Sequence, residues 1–160
     1  MLKNIFKRGS KLMMAAAMAS VVALPLVGSE AEAARGNTQS VFRNVLSSNN
    51  IPYTIDEDND IRISVGDITV YVSINNSDDV VLVWGWIPTS LPRSRWNSAC
   101  VTCNELNSKL DTQVWLDSDG DIRCQWVFDT DDIAVSPAVA EAAVSRVLNG
   151  LQEVKKAFGR

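Results

Sequence analysis

Cysteine and carboxylate side chains carry what chemistry this sequence could perform. Cys100 and Cys103 are spaced C-x-x-C, and Cys124 is the third and last cysteine. There is no histidine. That removes the commonest general base, the commonest metal ligand and every Ser-His or Cys-His pair. A C-x-x-C at a helix amino terminus has a lowered thiol pKa and can exchange disulfides. A thioredoxin-like pair belongs to a strand–helix unit. Here a loop with Pro88 and Pro92 comes first, and Cys100 falls about one turn inside the expected helix. The structural alternative is a disulfide from the helix to the following strand pair. Cys103, in the middle of the helical stripe, is the expected partner of Cys124, with Cys100 the alternative. Closing a loop of about 20 residues would contribute roughly 3 kcal/mol in the chain-entropy model.

The segment Asp117-Ser-Asp-Gly-Asp121 alternates carboxylates in the manner of a calcium loop. An EF-hand needs glycine at its sixth position and glutamate at its twelfth. Those positions hold Ile122 and Phe128, so the segment reads as a hairpin turn around Asp119-Gly120. No metal site and no cofactor is expected. Five tryptophans complete the notable side chains. Trp84, Trp86, Trp96 and Trp126 read as core. Trp115 points away from the helix-covered side of the strand pair and is a candidate for a partner surface, together with Val127, Val81 and Val83.

The elements that must position these residues follow from periodicity. A short helix is expected over 38–49, with Val41, Phe42, Val45 and Leu46 at helical spacing. Ile61–Val65 and Ile68–Ile74 alternate as half-buried strands, and Tyr53–Asp56 could begin one. Val80–Ile87 is apolar on both faces, as in a strand covered twice. A helix over 95–109 follows, with Trp96, Cys100, Cys103 and Leu110 on its inner stripe. Then come strands at 112–117 and 121–128. The last helix is capped by Ser136, opened by Pro137 and ended by Gly159. No internal repeat is evident. The expectation is α+β in two layers: a five-stranded antiparallel sheet, helices on one face, order α-β-β-β-α-β-β-α.

The first residues read as a secretory signal peptide. Lys3, Lys7, Arg8 and Lys11 precede an apolar run over 12–28, and Ala31 and Ala33 form the A-x-A exit. Cleavage after Ala33 would leave residues 34–160 as a single domain, periplasmic or secreted, with no stable membrane anchor. That part has 11 basic and 17 acidic residues, a net charge of −6. Nucleic acid is therefore not an expected partner.

Three stretches carry a family resemblance: Cys103-Asn104-Glu105-Leu106-Asn107, the hairpin Val114-Trp115-Leu116-Asp117-Ser118-Asp119-Gly120-Asp121-Ile122, and Ile51-Pro52-Tyr53 through Ile61-Arg62-Ile63. On these the chain, over about 38–151, resembles the YbjN family of bacterial proteins. The resemblance implies the fold of type III secretion chaperones, a sheet of strand order 1-2-3-5-4, and a sensory transduction regulator's role without catalytic residues. The export signal and the three cysteines depart from a cytoplasmic family pattern. The functional expectation is a non-enzymatic module that binds a protein, a peptide or a second copy of itself. A thiol–disulfide oxidoreductase using Cys100 and Cys103 is the alternative.

Overall fold

The structure is a computed structural model that describes residues 30–75 and 80–160. The expected signal peptide lies mostly outside them. Ala31 and Ala33 fall in the first turn of helix α1, which spans Glu30–Ser48 and so begins eight residues before the sequence expectation. The helix ends where Asn50 takes a left-handed φ of 54°. Ile51 N–H then donates to Leu46 O and Asn50 N–H to Ser47 O, the pairing of a Schellman terminus.

Six strands follow in one antiparallel sheet: β1 (Tyr53–Ile55), β2 (Ile61–Val65), β3 (Ile68–Asn75), β4 (Val80–Ile87), β5 (Gln113–Leu116) and β6 (Ile122–Asp129). Their order is β1-β2-β3-β4-β6-β5. The five-stranded expectation is therefore corrected. The extra member is β1, too short to show an alternating pattern of its own, and it pairs through Tyr53↔Ile63, Thr54↔Arg62 and Ile55↔Ile61. Helix α2 (Trp96–Asn107) enters through a 3-10 turn at Arg93–Arg95, and α3 (Pro137–Phe158) closes the fold.

All strand residues that are fully buried lie on one face: Ile61 and Ile63, Val70 and Val72, Val81 and Val83, Val114, Ile122 and Cys124 among them. Helix α3 supplies Ala140, Ala143, Val144, Val147, Leu148, Leu151 and Val154 to the same core. Its stripe recurs at three- and four-residue steps, so one face of the helix is apolar. Ser136 Oγ accepts from Val139 N–H, and Gly159 ends the helix at φ 67°. At Gly85 α3 comes close to the sheet. A Cβ there would sit 2.7 Å from Leu151 Cδ1 and 2.5 Å from Thr69 O.

An internal likeness emerges that the sequence reading did not register. The β1–β2 turn is Ile55-Asp-Glu-Asp-Asn-Asp-Ile-Arg62, and the β5–β6 turn is Leu116-Asp-Ser-Asp-Gly-Asp-Ile-Arg123. Both are built alike. Asp56 Oδ1 accepts from the N–H groups of Asp58 and Asp60, and Asp117 Oδ1 from those of Asp119 and Asp121. Asn59 and Gly120 take the left-handed φ at the same step, 65° and 84°. The sheet therefore carries the same hairpin at both of its edges.

Candidate partner-binding face

The cysteines settle into separate surroundings. The buried seam of α2 is Ala99, Cys103 and Leu106, so Cys100 is turned out to solvent and not onto the inner stripe. All three thiols are free, and no bond joins Cys103 or Cys100 to Cys124. Burial pushes the Cys103 thiol up to about 11, with Cys100 nearby adding to the shift. Burial likewise pushes Cys124 up to about 11, against a smaller opposing pull from the Thr112 hydroxyl. A thiol needs its thiolate to react. At pH 8 an alkylating reagent should therefore modify one cysteine of the native chain, Cys100, and all three after unfolding without reductant. Two modified residues in the folded protein would contradict the packing of α2 against the sheet.

Among the described residues there is no group of three His, Cys, Asp or Glu side chains able to hold a metal ion. The Asp117 carboxylate is already filled. Besides the two turn N–H groups on Oδ1, its Oδ2 accepts from Arg123 Nε at 2.8 Å.

Among the described residues, no helix lies over the other face of the sheet. Strand registry places Tyr71, Trp84, Gln125 and Gln113 in one row across it. Trp86, Arg123 and Trp115 form the row on one side of it, and Ser73, Leu82 and Val127 the row on the other. Val81 and Val83, expected on this surface, are 0% exposed on the covered face, and that expectation is corrected. A strand apolar on both sides does not reveal which side the helices take. Here α3 lies over the smaller side, Val81, Val83, Gly85 and Ile87, because Gly85 lets it approach. The large rings Trp84 and Trp86, read from sequence as core, are left on the uncovered side, half-buried. Trp115 is half-buried and Val127 is 43% exposed beside them.

These rings are held, not loose. Trp84 and Trp86 stack at 5.7 Å between centroids, and Tyr71 stacks on both, at 4.9 and 5.7 Å. Trp84 Nε1 donates to Ser73 Oγ at 3.0 Å, and Ser73 in turn donates to Asp60. Arg123 lies over both indoles, 5.5 Å from Trp84 and 6.0 Å from Trp86, while Asp117 fixes its guanidinium. Ordered aromatic side chains lose little entropy on contact with a partner, which suits a docking surface.

Two opposing effects set the Asp117 titration. Burial pushes its pKa up, but the Arg123 hydrogen bond together with the N–H groups of Asp121 and Asp119 outweighs it, so the carboxyl ends below its ordinary 3.8. A depressed carboxylate contributes stability above its unfolded pKa and loses it as pH falls through the folded value. Acidification below pH 3.8 should therefore free Arg123 and change the fluorescence of Trp84 and Trp86. Asp117→Asn should show the released spectrum already at pH 7. Asp67, also lowered, by its Lys155 hydrogen bond, does not touch these rings and should leave the fluorescence step unchanged when replaced.

No family model and no curated relative matches the chain. Solved structures do. A chain of the ExsC-ExsE complex aligns with a TM-score of 0.59 at 10% identity, over 76% of this chain and 92% of that one. A chain of the HopA1-SchA chaperone-effector complex gives 0.53 at 11%, over 74% and 92%. YbjN from E. coli gives 0.54 at 10%, over 71% and 88%. At this identity what is shared is the fold: a single twisted sheet with helices laid on it, common to YbjN and to proteins of a chaperone–effector assembly.

Proposed function

We propose that the protein is a non-catalytic binding module that docks a protein or peptide partner through the uncovered face of its sheet. The observation that carries this reading is the clamped cluster of Tyr71, Trp84 and Trp86, flanked by Leu82, Val127 and Trp115, with no element among the described residues over it. Contiguous apolar surface of this kind marks interaction sites. The fold is compatible with the role, since chains from the ExsC-ExsE and HopA1-SchA complexes share it. The signal-like residues 1–33 support action outside the cytoplasm, in the periplasm or beyond it.

Immobilised protein, incubated with an envelope extract of its source cell, tests the reading. Wild type and a Val101→Asp control, altered on the outer side of α2 where Val101 is 58% exposed, should retain the same partner. The double variant Leu82→Asp, Val127→Asp should lose it at unchanged circular dichroism. Equal retention by all three would overturn the proposal. Elution of the pure protein as a dimer that the double variant dissolves would identify the partner as a second copy.

A further inference from the structure

The two edge hairpins are alike in sequence and turn, but among the described residues only one edge is closed. On β5, Asn107 from α2 donates through Nδ2 to Val114 O at 2.9 Å and accepts at Oδ1 from Val114 N–H at 2.7 Å. A side-chain amide thus stands where a neighbouring strand would be. On β1 the counterpart of Val114 is Tyr53, and that of Asn107 is Leu46, an apolar residue buried in the core. The ladder fixes which groups point outward. Asp56 N–H donates to Asp60 O, so the bonded pairs alternate through Thr54↔Arg62, and Tyr53 and Ile55 turn their N–H and C=O groups away from β2. No hydrogen bond to these four backbone groups is found among the described residues.

The side chains differ in the same sense. Trp115 fills the surface beside Arg123, but its counterpart beside Arg62 is the small Thr54. A shallow groove of about 210 Å³ results, lined by Pro52, Tyr53, Thr54, Arg62 and Ser64. Arg123 is paired with Asp117. Arg62, exposed, makes no ion pair among the described residues, although Asp56 occupies the equivalent place, with its Oδ1 on the turn N–H groups. Among the described residues, Arg62 is the one charged side chain that lines the groove.

We infer that the open edge of β1 takes an extended peptide by strand addition, with a carboxylate of that peptide on Arg62. The inference rests on the binding-module reading and gives it a mode and a partner chemistry. The added strand would lie about 4.8 Å beyond β1, so its side chain in the Thr54 row is about 9.6 Å from Arg62 Cα. An arginine reaching over threonine meets a glutamate there, in a charge-assisted pair. Main-chain bonds to Tyr53 and Ile55 supply affinity, and the groove supplies selection. The chain as a whole is acidic, net −4, so a carboxylate is welcome only where a local cation stands.

Selection of a displayed random heptapeptide library on the full-length protein provides the test. Recovered peptides should share one acidic residue. Their binding should fall about tenfold or more on Ile55→Pro, which removes an outward N–H and spares the ladder bonds of Thr54, and on Arg62→Glu, which leaves the backbone alone. Changing the shared acid to lysine should restore binding to Arg62→Glu. Peptides that lack a shared acid, or that ignore both variants, overturn the inference. If those peptides are instead lost on Leu82→Asp, Val127→Asp, the uncovered face remains the docking surface and only the edge mode fails. Recovery of no peptide that responds to any of the three overturns both.

Discussion

Gly85→Ala should destabilise the protein by about 3 kcal/mol, near the upper end for overpacking a filled core. The added methyl group would lie 2.5 Å from Thr69 O and 2.7 Å from Leu151 Cδ1. The leucine can rotate away. The carbonyl cannot, because it belongs to β3, which is held between β2 and β4. Either the two strands separate or α3 lifts off the sheet, and both expose core. For a folded part of this size the melting temperature should drop on the order of 10 °C. Gly66→Ala is the matched control. Gly66 has φ 64° and no atom within 4 Å, so its substitution costs only the left-handed backbone, about 1 kcal/mol. Thermal unfolding of the two variants side by side decides the matter. If Gly85→Ala costs no more than Gly66→Ala, α3 does not lie on β4 as described.

Asn107→Ala should cost about 2 kcal/mol, from two hydrogen bonds of about 1 kcal/mol each, and it should change what the β5 edge can do. Both lost bonds end on the same residue, Val114. Its N–H would pass to solvent, so its hydrogen exchange should accelerate more than that of Gln113 or Trp115, which face β6. Edge strands with unpaired N–H and C=O groups template further strands. Asn107→Ala should therefore aggregate more readily at high concentration than a core variant of equal stability. Asn107→Asp separates the two effects: it can still accept from the N–H but sets a carboxylate against the carbonyl of Val114. Urea denaturation of both variants, with exchange at Val114, is the measurement. Unchanged exchange at Val114 in Asn107→Ala would remove Asn107 from the role of edge seal.

Local features were legible in the sequence. Ser136, Pro137 and Gly159 mark the ends of α3 because capping chemistry acts within one turn. The hairpin across Asp119-Gly120 was legible because Gly120 supplies the left-handed step between two alternating runs. What escaped depends on tertiary choice. A three-residue strand such as β1 exists only because β2 holds it. Val81 and Val83 were assigned to the wrong side because β4 is apolar on both, and Gly85, the residue that decides the side, carries no hydrophobic signal. Cys100 was placed inside by a stripe drawn from Trp96, whereas the helix turns so that Ala99 faces the core. The Asn107 seal could have been suspected from an amide six residues before a strand, but its contact is set by how α2 lies along β5.

The stacked indoles of Trp84 and Trp86 have an optical consequence. Two such chromophores 5.7 Å apart share their excited states, and their ultraviolet absorption should split into a circular dichroism couplet of opposite signs. Any molecule that wedges the rings apart, or screens them from Arg123, would alter that couplet. The protein thus carries its own unlabelled reporter of occupancy, readable at micromolar concentration before its partner has a name.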